Sequence, residues 1–123
     1  MGIKCTSCFW GLKMKIISLT FFLTIACNTV SAGTSSGDRN ILNIGCHKND
    51  NTCFVTISGS AVGPTGCSST SVRWNAELNA NGKAALTHLT SAFIANKKIA
   101  FQISDSCYKY QTNDPTFDWW YVK

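Results

Sequence analysis

The sequence predicts an α+β domain, mostly β, with five strands, one helix and two disulfides. Several short blocks alternate apolar and polar residues, one block repeats its apolar residues at i, i+3 and i+7, and four cysteines follow residue 32. At 123 residues, 45% hydrophobic and 14% charged, the chain is too apolar for disorder and too interrupted for several membrane spans. Its length suits a single core.

Residues 1–32 read as a secretory signal peptide. Lys13 and Lys15 precede the apolar run Ile16 to Ala26, polar Asn28 and Thr29 follow, and Val30-Ser31-Ala32 supplies the small-residue cleavage pattern. The run is short of the roughly 20 apolar residues a spanning helix needs. Read from Met14 the leader is compact, so translation is expected to start there. A competing reading makes Cys27 a lipidated N-terminus, but Thr24 stands where Leu or Val is preferred. The expected location is therefore periplasmic or extracellular. Cys5 and Cys8 resemble half a zinc site, yet no second pair follows at metal-site spacing, so no metal or other cofactor is expected.

The formal charge of +5 is not a nucleic-acid signal once it is apportioned. Lys4, Lys13 and Lys15 belong to the leader, and from Gly33 onward eight basic residues stand against six acidic ones. A nucleic-acid footprint wants a clustered excess well beyond this.

Residues 33–40 are polar and aperiodic and read as a flexible lead-in to a domain spanning 41–123. Leu42, Ile44 and Cys46 alternate with polar or small neighbours, as do Cys53, Val55 and Ile57, giving two strands joined by the turn formers His47 to Thr52. Four cysteines permit three pairings. Setting Cys46 against Cys53 places Ile44 opposite Val55 and Leu42 opposite Ile57, all on one face. Opposed residues in a ladder lie about 4.5 to 5.5 Å apart at Cα, within a disulfide's reach. A cross-strand Cys46–Cys53 bridge is expected.

Gly59 to Ser71 is a loop rich in glycine and hydroxyls, without the Gly-Lys-Ser/Thr and following helix of a phosphate cradle. Val72, Trp74, Ala76 and Leu78 then alternate as a third strand, with Trp74 in the core. Asn81 is the predicted N-cap of a helix running to about Ala95, whose apolar stripe is Leu86, Leu89 and Phe93 flanked by Ala85 and Ala92. Asn96 suits a left-handed cap, and Lys97 and Lys98 complement the negative helix end. The far side carries Ala84, His88, Ser91 and Ala95, a row that suits either solvent or close approach of a second subunit. Ile99, Phe101 and Ile103 alternate with Ala100, Gln102 and Ser104 as strand four, which runs to Cys107; Tyr108 to Thr116 is turn-rich, and Phe117 to Val122 is strand five.

The order of three strands, a helix and two strands is that of an OB-fold, a five-stranded, partly open barrel. Within that fold the chain resembles the B subunits of secreted bacterial toxins that form rings of five and bind cell-surface glycans. Its likeness is one of order, length, export and disulfide use. Cys67 through Val122 also resembles a group of short exported bacterial proteins of unassigned function. The shared elements are Cys67, Arg73-Trp74, Gly82-Lys83-Ala84, Lys97-Lys98 and Cys107. That resemblance implies a Cys67–Cys107 disulfide, in agreement with the pair left over from the hairpin register; Cys46 and Cys53 lie outside the shared pattern. Homo-oligomerisation and a glycan ligand are what the toxin resemblance implies.

No catalytic residues are expected. His47 falls in a loop and His88 on the helix without metal-binding spacing, the acidic residues are scattered, and an exported thiol would oxidise. The unusual feature is aromatic. Tyr108, Tyr110, Phe117, Trp119, Trp120 and Tyr121 interleave with amides and carboxylates, a mixture suited to stacking on a sugar's C–H face while bonding its hydroxyls. Alternation places Phe117, Trp119 and Tyr121 on one face of strand five, with Trp120 and Val122 on the other. One set can fill the core, and the other calls for a loop, a subunit or a ligand. Tyr108, Tyr110, Trp119, Trp120 and Tyr121 are thus the candidate ligand or interface residues. The leading expectation is an exported, disulfide-stapled binding module for a glycan. Its alternative is a small structural or inhibitory protein that binds another protein and has no sugar site.

Overall fold

The computed structural model describes residues 33–123; the expected signal peptide, the expected start at Met14, the Cys5/Cys8 pair and Cys27 lie outside the described residues. The elements are β1 (Ile41–Cys46), β2 (Thr52–Ile57), β3 (Ser71–Asn75), α1 (Gly82–Ile94), β4 (Ile99–Cys107) and β5 (Pro115–Val122). They form two antiparallel sheets, β1-β2-β3 and β4-β5, whose hydrogen bonding does not close into a barrel. Two disulfides join Cys46 to Cys53 and Cys67 to Cys107, with Cα separations of 4.0 and 5.8 Å. Such staples are typical of exported proteins. No helix among the described residues is long and apolar enough to cross a membrane.

In the first hairpin Cys46 faces Cys53 and Ile44 faces Val55, but Ile41, not Leu42, faces Ile57. The ladder shifts between Ile41 and Asn43, so Leu42 is an extra residue. A one-residue bulge reverses the facing of what precedes it: Ile41 is buried and Leu42 is 58% exposed.

Residues 33–40 are not a free lead-in. Thr34 accepts a bond from the Ile103 N–H at 2.9 Å, the Ser36 N–H reaches the Phe101 carbonyl at 2.8 Å, and Arg39 exchanges two bonds with Ile99. The buried Ser36 hydroxyl also accepts the Phe101 N–H, and the Arg39 guanidinium donates to the carbonyls of Ser36, Ser58 and Ser60. Polar composition suggested flexibility, but here the segment satisfies the β4 edge, whose backbone groups need partners.

β3 ends at Asn75, short of the Leu78 expected from alternation. The Asn75 side chain accepts the N–H groups of Glu77 and Leu78 at 3.0 and 2.8 Å, turning the chain and leaving Leu78 exposed.

α1 departs from its predicted cap and stripe. Asn81 makes no side-chain capping bond and adopts a left-handed φ of 58°, and Gly82 follows with its carbonyl accepting the Trp74 indole N–H at 2.9 Å. A Cβ at Gly82 would collide with the Asn75 and Ala76 carbonyls, so only glycine lets the helix start this close to β3. That approach sets the helix rotation. Gly82, Ala85, Leu89 and Ala92 are buried, Leu86 is partly buried against the core, and Phe93 is 41% exposed. Asn96 does take the left-handed conformation, with φ 53°.

The core gathers Val55, Ile57, Val72, Trp74, Leu89, Ile99, Phe101 and Ile103, all 2% exposed or less. Phe117 and Trp120 of β5 pack against it.

Candidate functional site: the two faces of β5

The aromatic strand is organised by a second bulge. In the β4–β5 ladder Ile103 faces Phe117 while its neighbour Gln102 faces Trp119, leaving Asp118 as the extra residue. Simple alternation grouped Phe117 with Trp119 and Tyr121. The bulge instead turns Phe117 and Trp120 inward together and Trp119 and Tyr121 outward.

Inside, the Phe117 ring lies 4.8 Å from Phe101, 5.6 Å from Trp74 and 5.7 Å from Trp120, centroid to centroid. Trp120 is only partly buried: one side meets the core and another meets His88 of α1, with ring centroids 5.8 Å apart. Outside, the Trp119 and Tyr121 rings stack at 5.9 Å with planes 25° apart, and they remain 50% and 39% exposed. The Lys123 ammonium sits 5.9 Å from the Tyr121 ring and 2.7 Å from the Asp38 carboxylate. That carboxylate raises the Lys123 pKa above its ordinary value. The result is an exposed aromatic platform of two stacked rings beside an ion pair.

The remaining candidates separate from this platform. Tyr108 is 3% exposed, and its hydroxyl lies 2.8 Å from that of Thr52, so it belongs to the core rather than to a ligand surface. A Tyr buried with its hydroxyl satisfied serves packing. Tyr110 is 52% exposed but its aromatic partner is Tyr108, at 5.7 Å, with Lys109 over its face. Cys46, Cys53, Cys67 and Cys107 are all engaged in the two disulfides.

Two recesses flank Trp120. The larger, about 560 Å³, runs between His88, Ser91, Ala95 and Lys97 on α1 and its exit and Trp120, Tyr121 and Val122 on β5. A smaller one, about 200 Å³, lies on the side of Asn79, Asn81, Gly82, Phe117 and Asp118. The α1 row of Ala84, His88, Ser91 and Ala95 thus forms a wall of the larger groove over part of its length.

A third feature was not visible in the linear sequence. Arg73 pairs with Asp114 at 3.1 Å and donates to the Gln111 side chain, whose amide lies 3.5 Å from His47. His47 in turn meets Asp50 at 3.1 Å. The Thr52 N–H and then His47 hold the Asp50 carboxyl below its ordinary value. Arg73 also lies over the Phe54 ring at 5.6 Å. These groups join the loop after β4 to β3 and to the first hairpin across 38 and 64 residues, separations no local pattern could signal. Among the described residues no group of three or more His, Cys, Asp or Glu side chains is placed to hold a metal ion.

Comparison of the chain with protein-family models, with curated proteins and with solved structures finds no match.

Proposed function

We propose that the mature chain is an exported, OB-like binding module whose Trp119–Tyr121 platform takes a glycan. Its carrying observation is the outward stacking of these two rings, which remain about half and two-fifths exposed to solvent. Pyranose C–H faces pack on such rings, and the Asp38 carboxylate and Lys123 ammonium supply partners for the hydroxyls. Exposed aromatic patches of this kind mark interaction sites.

Support for the OB-like reading comes from the path of the chain. Residues 33–46 run first along β4 and then along β2, and β3 lies beside β5. Read around the molecule, the strands follow the cyclic order 1-2-3-5-4-1 with a gap between β3 and β5, as in a partly open barrel. Assembly into a homo-oligomer belongs to the same proposal, because several copies on one particle would multiply weak sugar contacts.

A glycan array probed with the oxidised mature protein, followed by tryptophan-fluorescence titration of each hit, tests the reading. Binding that is lost in Trp119→Ala while the fold persists supports it. An empty array for a well-folded protein, with capture of a protein partner through the same platform, overturns the sugar assignment. Light scattering of the same sample reads the oligomeric state directly.

A further inference from the structure

We infer that the groove between α1 and the end of β5 is a second binding site, distinct in chemistry from the platform, for a free single-chain amphiphile bearing a carboxylate head. Three observations converge on it. Its volume of about 560 Å³ falls in the range of small-molecule sites. Its walls are apolar where Trp120, Ala95 and Val122 face each other, because Ser91 and Ala95 stand one turn apart and are too short to cover the indole. Its charged lining is cationic: Lys97 makes no ion pair among the described residues, and no carboxylate lines the groove.

An apolar body would lie along the indole, where each buried methylene adds to affinity. A carboxylate head would meet the Lys97 ammonium in a charge-assisted hydrogen bond. A second copy of the chain fits less well. In a two-fold contact the same patch must face itself, and two concave grooves set mouth to mouth leave a void between them. Sugars fit less well for a different reason: apart from Lys97 and His88 the groove offers their hydroxyls only Ser91 and the edge of Tyr121.

Calorimetric titration of the oxidised mature protein with decanoate, below its micelle concentration, and with uncharged decanol decides the matter. Decanoate is expected to bind at one site per chain. Lys97→Gln is expected to weaken decanoate about fivefold, less at high salt, and to leave decanol unchanged. Ala95→Trp, at the exposed C-cap of α1, fills the groove and is expected to weaken both by tenfold or more; Ser91→Phe is the second filling variant should Ala95→Trp misfold. Equal affinity for both ligands with no effect of Lys97→Gln overturns the assignment of an acidic head. No binding by a correctly folded protein, or a dimer that Ala95→Trp dissociates, overturns the site itself. Because none of these substitutions touches Trp119, failure here leaves the glycan reading standing, and the reverse holds.

Discussion

The Tyr108 hydroxyl and the Thr52 hydroxyl lie 2.8 Å apart in the interior, tying the first turn after β4 to the first residue of β2 across 56 residues of sequence. Tyr108 also marks where the chain leaves the Cys67–Cys107 bridge, and its N–H reaches the Asp114 carbonyl at 2.8 Å. One buried hydroxyl pair therefore anchors the loop that also carries Tyr110, Gln111 and Asp114.

Removing one partner of this pair leaves the other unsatisfied. Tyr108→Phe is expected to destabilise the fold by about 1 to 2 kcal/mol in urea unfolding, with the Thr52 hydroxyl left without its partner. Adding Thr52→Val to that variant should cost little more, since both polar groups are then gone. A double-mutant coupling near zero would show that the two hydroxyls do not interact in solution.

The two disulfides close loops of different length. Cys46 and Cys53 are 7 residues apart and Cys67 and Cys107 are 40 apart. Restricting the unfolded chain predicts losses of about 2 kcal/mol for the Cys46→Ala, Cys53→Ala pair and about 4 for the Cys67→Ala, Cys107→Ala pair. Denaturation midpoints of the two double variants check this. A larger loss from the shorter loop would move the origin of the stabilisation to native-state packing of the hairpin.

Much of this fold was readable wherever period-two alternation ran unbroken. Ile44 opposite Val55 and the stretch from Ile99 to Ile103 in β4 are such places, and the left-handed Asn96 after the helix was readable from its residue type. The pattern failed where one residue was inserted or where contact geometry set the phase. Leu42 and Asp118 are bulged, and each reverses the facing of its neighbours without any composition signal. The helix rotation follows from the contact of Gly82 with the β3 end, so a larger apolar residue such as Phe93 lost its inward place to alanines. For the candidate site, the concentration of aromatic residues in and before β5 was evident in the linear chain, but which rings face outward was not. The ion pair beside them was hidden altogether, since Lys123 and Asp38 meet across 85 residues.

Asp50 gives the first hairpin a pH dependence of known sign. Its carboxylate accepts the Thr52 N–H and faces His47, and both hold its pKa below the ordinary 3.8. A carboxyl lowered in the folded state stabilises above its unfolded value, and that contribution is lost as the pH falls through the lowered one. Wild type is therefore expected to be more stable than Asp50→Asn near neutrality, with the difference shrinking as the pH falls below the ordinary 3.8 and through the lowered value. Paired thermal melts across the acid range check it. A difference that grows towards low pH would mean that the carboxylate opposes the fold.

Trp119 and Trp120 are adjacent in sequence and lie on opposite faces of β5, so their truncations should part company. Trp119 is 50% exposed, and Trp119→Ala is expected to change stability by no more than about 0.5 kcal/mol. The same change should abolish the fluorescence response to a glycan found on the array. Trp120 packs on Phe117 and His88, and its removal leaves a gap beside the core. Full core truncations of tryptophan cost about 3 to 5 kcal/mol, and the partial burial of Trp120 places its alanine variant nearer 2. Trp120→Ala should keep the glycan response at temperatures where it is folded, yet lose decanoate, because the indole forms a wall of the second groove. The opposite pattern, stability lost with Trp119 and glycan binding lost with Trp120, would mean that Asp118 is not bulged in solution and that the strand runs in the plain alternation its sequence suggests.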